Sequence, residues 1–165
     1  MTGDKDLFRQ AMASFATGVT LVTVDYAGAV KGMTANAFAS VSLQPLLVLV
    51  CVDHKADTHA YLHARKRFGI NILAAQQRAI SVHYANPDRE TLTMEPGSEA
   101  KFDRTQHGTP VLHGALAYLE CRLQDARDAG DHTIFIAEVE DLVVRSGEPL
   151  LYFRRKYHAL GPEVT

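Results

Sequence analysis

The sequence has little of what would mark a membrane-spanning, secreted or nucleic-acid-bound protein. No uncharged apolar run reaches the roughly 18 residues of a spanning helix, because Leu46–Val52 is closed by Pro45 and Asp53. The first residues, MTGDKDLF, lack a charged-then-apolar pattern, so no secretory leader is expected. Cysteine is nearly absent: Cys51 and Cys121 lie far apart in apolar, strand-like runs, which reads as buried thiols in a reducing cytoplasm rather than as a bridge. A net charge of −2 gives no electrostatic reason to expect nucleic acid or an anionic membrane as partner. Internal repeats and low-complexity tracts are missing. So are G-x-G-x-x-G after a strand, G-x-x-x-x-G-K-[ST] and G-x-S-x-G, which argues against a Rossmann site, a P-loop and a hydrolase nucleophile.

What is present suits one soluble globular domain over 1–165. Hydrophobic content of 47% and charged content of 22% are ordinary, and a chain of this length buries roughly 70% of its unfolded surface. Leu7, Phe8, Ala11, Met12, Phe15 and Ala16 recur at helical spacing, predicting an amphipathic helix over Asp6 to Thr17, with Asp4 or Asp6 as N-cap and Gly18 as stop. Val19–Val24 alternates with threonines, and Tyr26-Ala27-Gly28 turns it into a hairpin. Further on, Thr58–Arg67 reads as a helix, Phe68–Leu73 as a strand and Ala75–Tyr84 as a short helix ended by Asn86-Pro87-Asp88. Arg89–Thr109 reads as a long polar loop, a length that points to a lid or a partner-facing arm. Ala115–Asp125 and Thr133–Val144 read as strands about a turn at Asp128-Ala129-Gly130-Asp131, and Gly147-Glu148-Pro149 leads to a last strand over Leu150–Phe153. Six or seven strands, three helices and hairpin-like connections favour an antiparallel barrel or sheet over a doubly wound fold.

The chain is organised around Lys31–Asp53, KGMTANAFASVSLQPLLVLVCVD. Thr34, Asn36, Ser40 and Ser42, mixed with alanines, bring backbone and hydroxyls close to whatever lies beside them, which suits a planar, polar-edged ligand or a phosphate. The plainer alternative is a sheet edge whose serines satisfy turns. Leu46–Val52 reads as a fully buried strand. His59 and His63 stand four apart on a helix, with His54 and Asp57 nearby, but no glutamate completes H-E-x-x-H. The surroundings look like a solvated helix face, and no metal site is expected.

Gly130-Asp131-His132 sets an imidazole at the mouth of the strand TIFIAEVEDLVV. Alone, that histidine could simply bond a turn carbonyl. Together with FATGVTLVT, GMTANAFASVSLQP, LVCVD, INIL and LLYFRRKY, in this order and spacing from about Phe8 to Tyr157, the chain resembles the short-chain flavin reductases. These are NAD(P)H-dependent enzymes on an FMN-binding split barrel, and many are the reductase component of two-component flavin monooxygenases.

The resemblance implies a mainly β fold: an antiparallel, Greek-key-like barrel with flanking helices. It implies FMN or FAD reduced by NADH or NADPH, a homodimer, and a monooxygenase partner reached through diffusible reduced flavin, which would be a dissociable substrate. Thr34, Ala35, Asn36, Ala37, Ser40, Val41 and Ser42 would line the isoalloxazine and ribityl chain. Asp53, His54, Lys55 and Thr58 would meet the flavin phosphate near a helix start, where unpaired N–H groups favour an anion. Asn71 joins this cofactor set. His132 would position the nicotinamide, and Tyr152, Phe153, Arg154 and Arg155 would hold the rest of that nucleotide. One segment departs from the family: members often carry N-x-S-S-x-T where this chain has Asp53-His54-Lys55-Ala56-Asp57-Thr58. The rival of another class is a non-catalytic flavin-binding or electron-carrying protein on the same barrel. A pyridoxamine-phosphate oxidase would need a pyridoxal-phosphate site that the sequence does not show.

Overall fold

Two-residue periodicity sets the architecture, as a computed structural model describing residues 4–89 and 99–164 shows. The chain opens with α1 (Lys5–Ala13) and β1 (Thr17–Gly18), followed by β2 (Thr20–Tyr26), β3 (Ala29–Ala35), β4 (Phe38–Leu43) and β5 (Leu46–Asp53). After α2 (Asp57–Arg65) and β6 (Arg67–Ile72), a 3-10 turn at Ala75–Gln77 runs into α3 (Arg78–Ala85). The last part holds β7 (Phe102–Arg104), β8 (Pro110–Leu112), β9 (Ala117–Ala129), β10 (His132–Val144), β11 (Leu151–Phe153) and β12 (Lys156–His158). Seven strands form one antiparallel sheet in the order β3-β2-β6-β9-β10-β5-β4. The hairpin expected at Tyr26-Ala27-Gly28 is present, with Ala27 and Gly28 at φ of 54° and 81°, the turn that matches strand twist.

β3 and β4 are the two edges of this sheet, yet only Asn36 and Ala37 separate them in sequence. Three Cα–Cα steps of about 3.8 Å hold Ala35 and Phe38 within roughly 11 Å, so the sheet must curl until its edges meet. The result is an antiparallel barrel whose edges are joined by chain rather than by a ladder. Its interior holds Val22, Val24, Val50, Val52, Phe68, Ile70 and Phe135, all at most 1% exposed. α2 carries the chain across from β5 to β6 and sinks Leu62 into that interior. A second layer (Leu21, Leu73, Ile80, Leu112 and Leu150) packs outside the barrel, under α3 and the β7–β8 hairpin.

Three expectations change. β5 is not fully buried: Val48, Val50 and Val52 face the core, while Leu47, Leu49 and Cys51 are half-buried on the other face. β2, by contrast, is covered on both faces, with Val22 and Val24 inside and Leu21 and Thr23 outside. Its threonines satisfy their hydroxyls on backbone carbonyls, Thr20 Oγ1 on Ala35 O and Thr23 Oγ1 on Pro110 O, each at 2.7 Å. α1 stops at Ala13 rather than Thr17, and Thr17-Gly18 leaves the helix to pair with Tyr152 and Leu151. Asp4 does cap it, accepting from the Asp6 and Leu7 amides, but no residue of α1 is buried. In the segment read as the loop Arg89–Thr109, residues 90–98 lie outside the described residues, and beyond them Phe102–Arg104 is a strand.

The turn after β7 is pinned from below by Glu120, 1% exposed. Its carboxylate accepts from Thr109 Oγ1 at 2.6 Å and Thr105 Oγ1 at 2.8 Å, with His107 Nδ1 at 3.3 Å and Arg67 Nη1 at 3.7 Å. Burial alone would push its pKa up, but the Thr109, Thr105 and His107 contacts outweigh burial and hold it below the ordinary carboxylate value. A group more acidic folded than unfolded stabilises above its unfolded pKa, and that stabilisation is lost as pH falls through the folded value. Glu120→Gln should therefore cost about 1–3 kcal/mol at neutral pH. It should also flatten the loss of stability that the parent shows below about pH 4. Denaturant melts at neutral and acid pH check both.

Candidate functional site

Two stretches far apart in sequence meet along one ladder. β10 pairs with β5 so that His132 lies opposite Asp53, and beyond the ladder the His54 amide donates to Asp131 O at 3.0 Å. The β9–β10 turn is tighter than expected: β9 runs on through Ala129, leaving Gly130-Asp131 as a two-residue connection with Gly130 at φ 70°. His132 Nδ1 lies 2.7 Å from Asp131 Oδ1. A carboxylate only accepts, so Nδ1 carries the hydrogen and Nε2 of this half-exposed ring is left for a ligand. The same bond holds Asp131 below its ordinary pKa.

Beside this junction, a cavity of about 320 Å³ opens between α2, α3 and β3. Thr34, Thr58, Lys55 and Arg89 line it, with Asp57 among the walls. α2 starts there with Ala56 as N-cap, so no side chain satisfies its first N–H groups. Two cationic side chains, a hydroxyl and an uncapped helix start make a donor set that fits a phosphate. Asp53 does not oppose it: its Oδ1 accepts the Lys55 amide at 2.8 Å and so closes the turn. Thr34 gives its hydroxyl to Ser81 O at 2.7 Å, fixing α3 against β3. His54 faces elsewhere, with Nε2 3.1 Å from Thr133 Oγ1 and 3.5 Å from Asp128 Oδ1.

Along β3 and β4 the small residues divide. Ala35 is buried in the barrel, whereas Asn36, Ala37, Ser40 and Val41 are exposed. Ser42 Oγ accepts the Gln44 amide at 3.1 Å and is the one serine here used as a turn residue. On the far side of this strip, a cavity of about 390 Å³ is bounded by residues 15–20, Asn36, Phe38 and Ile72. Thr17 Oγ1 in its wall is buried without a hydrogen-bond partner, a polar atom suited to a ligand group. Asn71 is fully buried: its amide nitrogen donates to Leu21 O and Thr23 Oγ1 and its oxygen accepts from the Leu112 amide, so the side chain is turned into the core.

Tyr152 and Phe153 lie on β11, and Arg154-Arg155 form the turn to β12 at φ of 48° and 62°. Two consecutive left-handed non-glycine residues are held there by the Arg154 amide on Ala13 O at 2.9 Å. Tyr152 meets Tyr157 edge-on, and the Arg154 guanidinium sits 5.1 Å over the Phe153 ring. The two arginines line a cavity of about 650 Å³ with Arg9, Asp6 and Gln10 of α1. This places them against α1; no hydrogen bond or ion pair among the described residues links them to His132. Thr17, Arg9 and Arg89 were not assigned to the site from sequence: Arg9 lies mid-helix in α1, Arg89 lies just past α3, and Thr17, though inside FATGVTLVT, carries no local signal of the cavity it borders.

Comparison with known proteins identifies the family. The family described as the flavin reductase like domain matches residues 12–161. The chain is 38% identical over 159 residues to the reductase component of a 4-nitrophenol 4-monooxygenase/4-nitrocatechol 2-monooxygenase from Rhodococcus opacus, covering 96% of this chain and 83% of that one. Among solved structures it is similar to the flavin reductase PheA2, at 42% identity and a TM-score of 0.88, over 97% of this chain and all of the other. It is also similar to the NADH:FAD oxidoreductase SgcE6 of Streptomyces globisporus in complex with NAD and FAD fragments. There the identity is 34% and the TM-score 0.87, over 98% of this chain and 96% of the other.

The left-handed pair at 154–155 separates stability from ligand binding. Arg154→Asn with Arg155→Gly installs the residues this turn prefers and should stabilise the protein by roughly 1 kcal/mol. If the arginines hold a nucleotide phosphate, the same variant should raise the KM for the nicotinamide nucleotide severalfold. Thermal melts and steady-state kinetics read the two effects independently.

Proposed function

This chain belongs to the flavin reductase-like family, and we propose that it is an NAD(P)H:flavin oxidoreductase that supplies reduced flavin to a partner monooxygenase. The observation that carries this reading is the β5–β10 ladder, which puts His132 directly beside the loop leading to Lys55 and α2. The uncapped start of α2, Lys55, Thr58 and Arg89 are assigned to the flavin phosphate. Asn36, Ala37, Ser40 and Val41 are assigned to the ring and ribityl chain, with Thr34 and Ser42 holding that strip in shape. When bound, the nicotinamide nucleotide supplies the hydride and the flavin accepts it. The protein's part is orientation: Asp131 fixes the His132 tautomer so that Nε2 faces the nicotinamide, and Arg154 and Arg155 take phosphates.

Lys55 and Arg89 would hold a phosphate by charge, a group that FMN and FAD both carry, so both flavins are assigned as substrates. NADH is taken as the donor, following the Streptomyces enzyme. The working form is assigned as a homodimer. Its support is α1, which leaves Leu7, Phe8 and Met12 at least 51% exposed, together with Val41, Leu43 and Leu46 on and beside the β4 edge. A cytoplasmic location accords with both cysteines being free thiols.

NADH and NADPH oxidation with FMN, FAD and riboflavin, each added separately, tests the enzyme reading. Turnover that requires added flavin is expected, and flavin binding with no oxidation of either nucleotide would instead identify a carrier. His132→Ala should raise the KM for NADH and lower kcat while flavin affinity stays unchanged. Wild-type kinetics in that variant would remove His132 from the site. Phe8→Glu should halve the mass seen by light scattering if α1 lies in the dimer contact.

A further inference from the structure

We propose that His54, His59 and Asp128 form a binding site for one divalent transition-metal ion of the zinc class, clasping the β9–β10 hairpin to the start of α2. One ring nitrogen each of His54 and His59 and a carboxylate oxygen of Asp128 lie within 4.8 Å of one another, and His54 Nε2 is 3.5 Å from Asp128 Oδ1. A tetrahedral ion bound at about 2.0–2.1 Å sets its ligand atoms roughly 3.4 Å apart. One pair already meets that spacing, and the other two need only small rotations of side chains that are partly open to solvent. Spacing along the helix pairs His59 with His63, and the fold sets His54 against its other side.

The ligands come from three places: the loop after β5, the first turns of α2 and the end of β9. Their backbones are already fixed relative to one another, because the His54 amide is bonded to Asp131 O across the hairpin turn. A supporting layer surrounds them. Thr133 is fully buried and donates its hydroxyl to Asp128 Oδ1 at 2.7 Å. The His59 ring stands edge-on between Phe135, with centroids 5.5 Å apart, and His63, at 4.8 Å. Such outer contacts orient metal-binding imidazoles and carboxylates.

Proton counting shows what the ion would replace. Thr133 has one hydroxyl hydrogen, and Asp128 receives it. His54 Nε2 at 3.1 Å and His59 Nε2 at 2.8 Å must therefore both donate to Thr133 Oγ1. On metal uptake each neutral ring moves its hydrogen to Nδ1 and presents a bare Nε2, while Thr133 remains a donor to the ligating carboxylate. Two imidazoles and one carboxylate select zinc, cobalt, nickel or copper over magnesium and calcium, which prefer oxygen ligands. Asp128 is 81% exposed in its side chain, which leaves the fourth position to water. The three ligands do not line the cavity assigned to the flavin phosphate, so the site stands whether or not that assignment does.

The test uses untagged, chelator-treated full-length protein titrated with Co²⁺ and followed by visible absorption, with Zn²⁺ stoichiometry by calorimetry. One ion per chain with the intense bands of a tetrahedral centre is expected. His54→Ala and His59→Ala should each abolish the bands, and Asp128→Asn should weaken binding at least tenfold. His113→Ala, which removes the separate histidine–carboxylate pair with Asp103 at 2.8 Å, should leave binding as it was. His54→Gln, checked by circular dichroism, guards against loss through misfolding. Absence of the bands, or binding unchanged in His54→Ala and His59→Ala, would overturn the proposal.

Discussion

Asn36 and Ala37 are all the chain that separates β3 from β4, and those strands are opposite edges of one seven-stranded sheet. A twisted sheet of this size left open would present two long edges to any passing strand. The short link forbids that and forces closure, and Ala37 O accepting the Cys51 amide at 3.0 Å anchors it to β5. Closure also decides what the link can touch. With β3 on one side and β4 on the other, its exposed backbone and small side chains face outward at the seam, between the cavity under α2 and the cavity beside β1.

Much of the architecture was legible because it rests on local patterns. The β2–β3 hairpin followed from Tyr26-Ala27-Gly28 and its alternation, and α2, α3 and the β9–β10 pair followed from periodicity. What was not legible depends on which faces the fold covers. Leu46–Val52 is wholly apolar whereas Thr20–Tyr26 carries two threonines and an aspartate, yet it is the second that has layers on both sides. α1 was misjudged at its end for a similar reason: Thr17 and Gly18 leave the helix because β11 offers them a ladder, and no local signal announces a partner so distant in sequence. Asn71 shows what the linear sequence does not display at single residues: its side chain lies in the core, bonded to Leu21, Thr23 and Leu112.

The site was legible in its two stretches but not in their junction. Nothing in the spacing of Asp53 and His132 states that they are cross-strand neighbours, whereas the β5–β10 register makes them so. The segment that departs from the family resolves in the same way. Asp53 closes its own turn on the Lys55 amide, and Lys55 and Arg89 line the cavity where α2 begins.

β2 contributes Val22 and Val24 to the barrel interior and Leu21 to the outer layer, so neither layer can loosen without exposing the other's shared wall. The two clusters thus form a single cooperative unit rather than a core and a satellite. In hydrogen-exchange terms, the β2 amides should open only with the whole molecule, while α1, with nothing buried, exchanges through local fraying. Local opening should therefore concentrate at the rim, α1 above all, while the barrel opens as a whole.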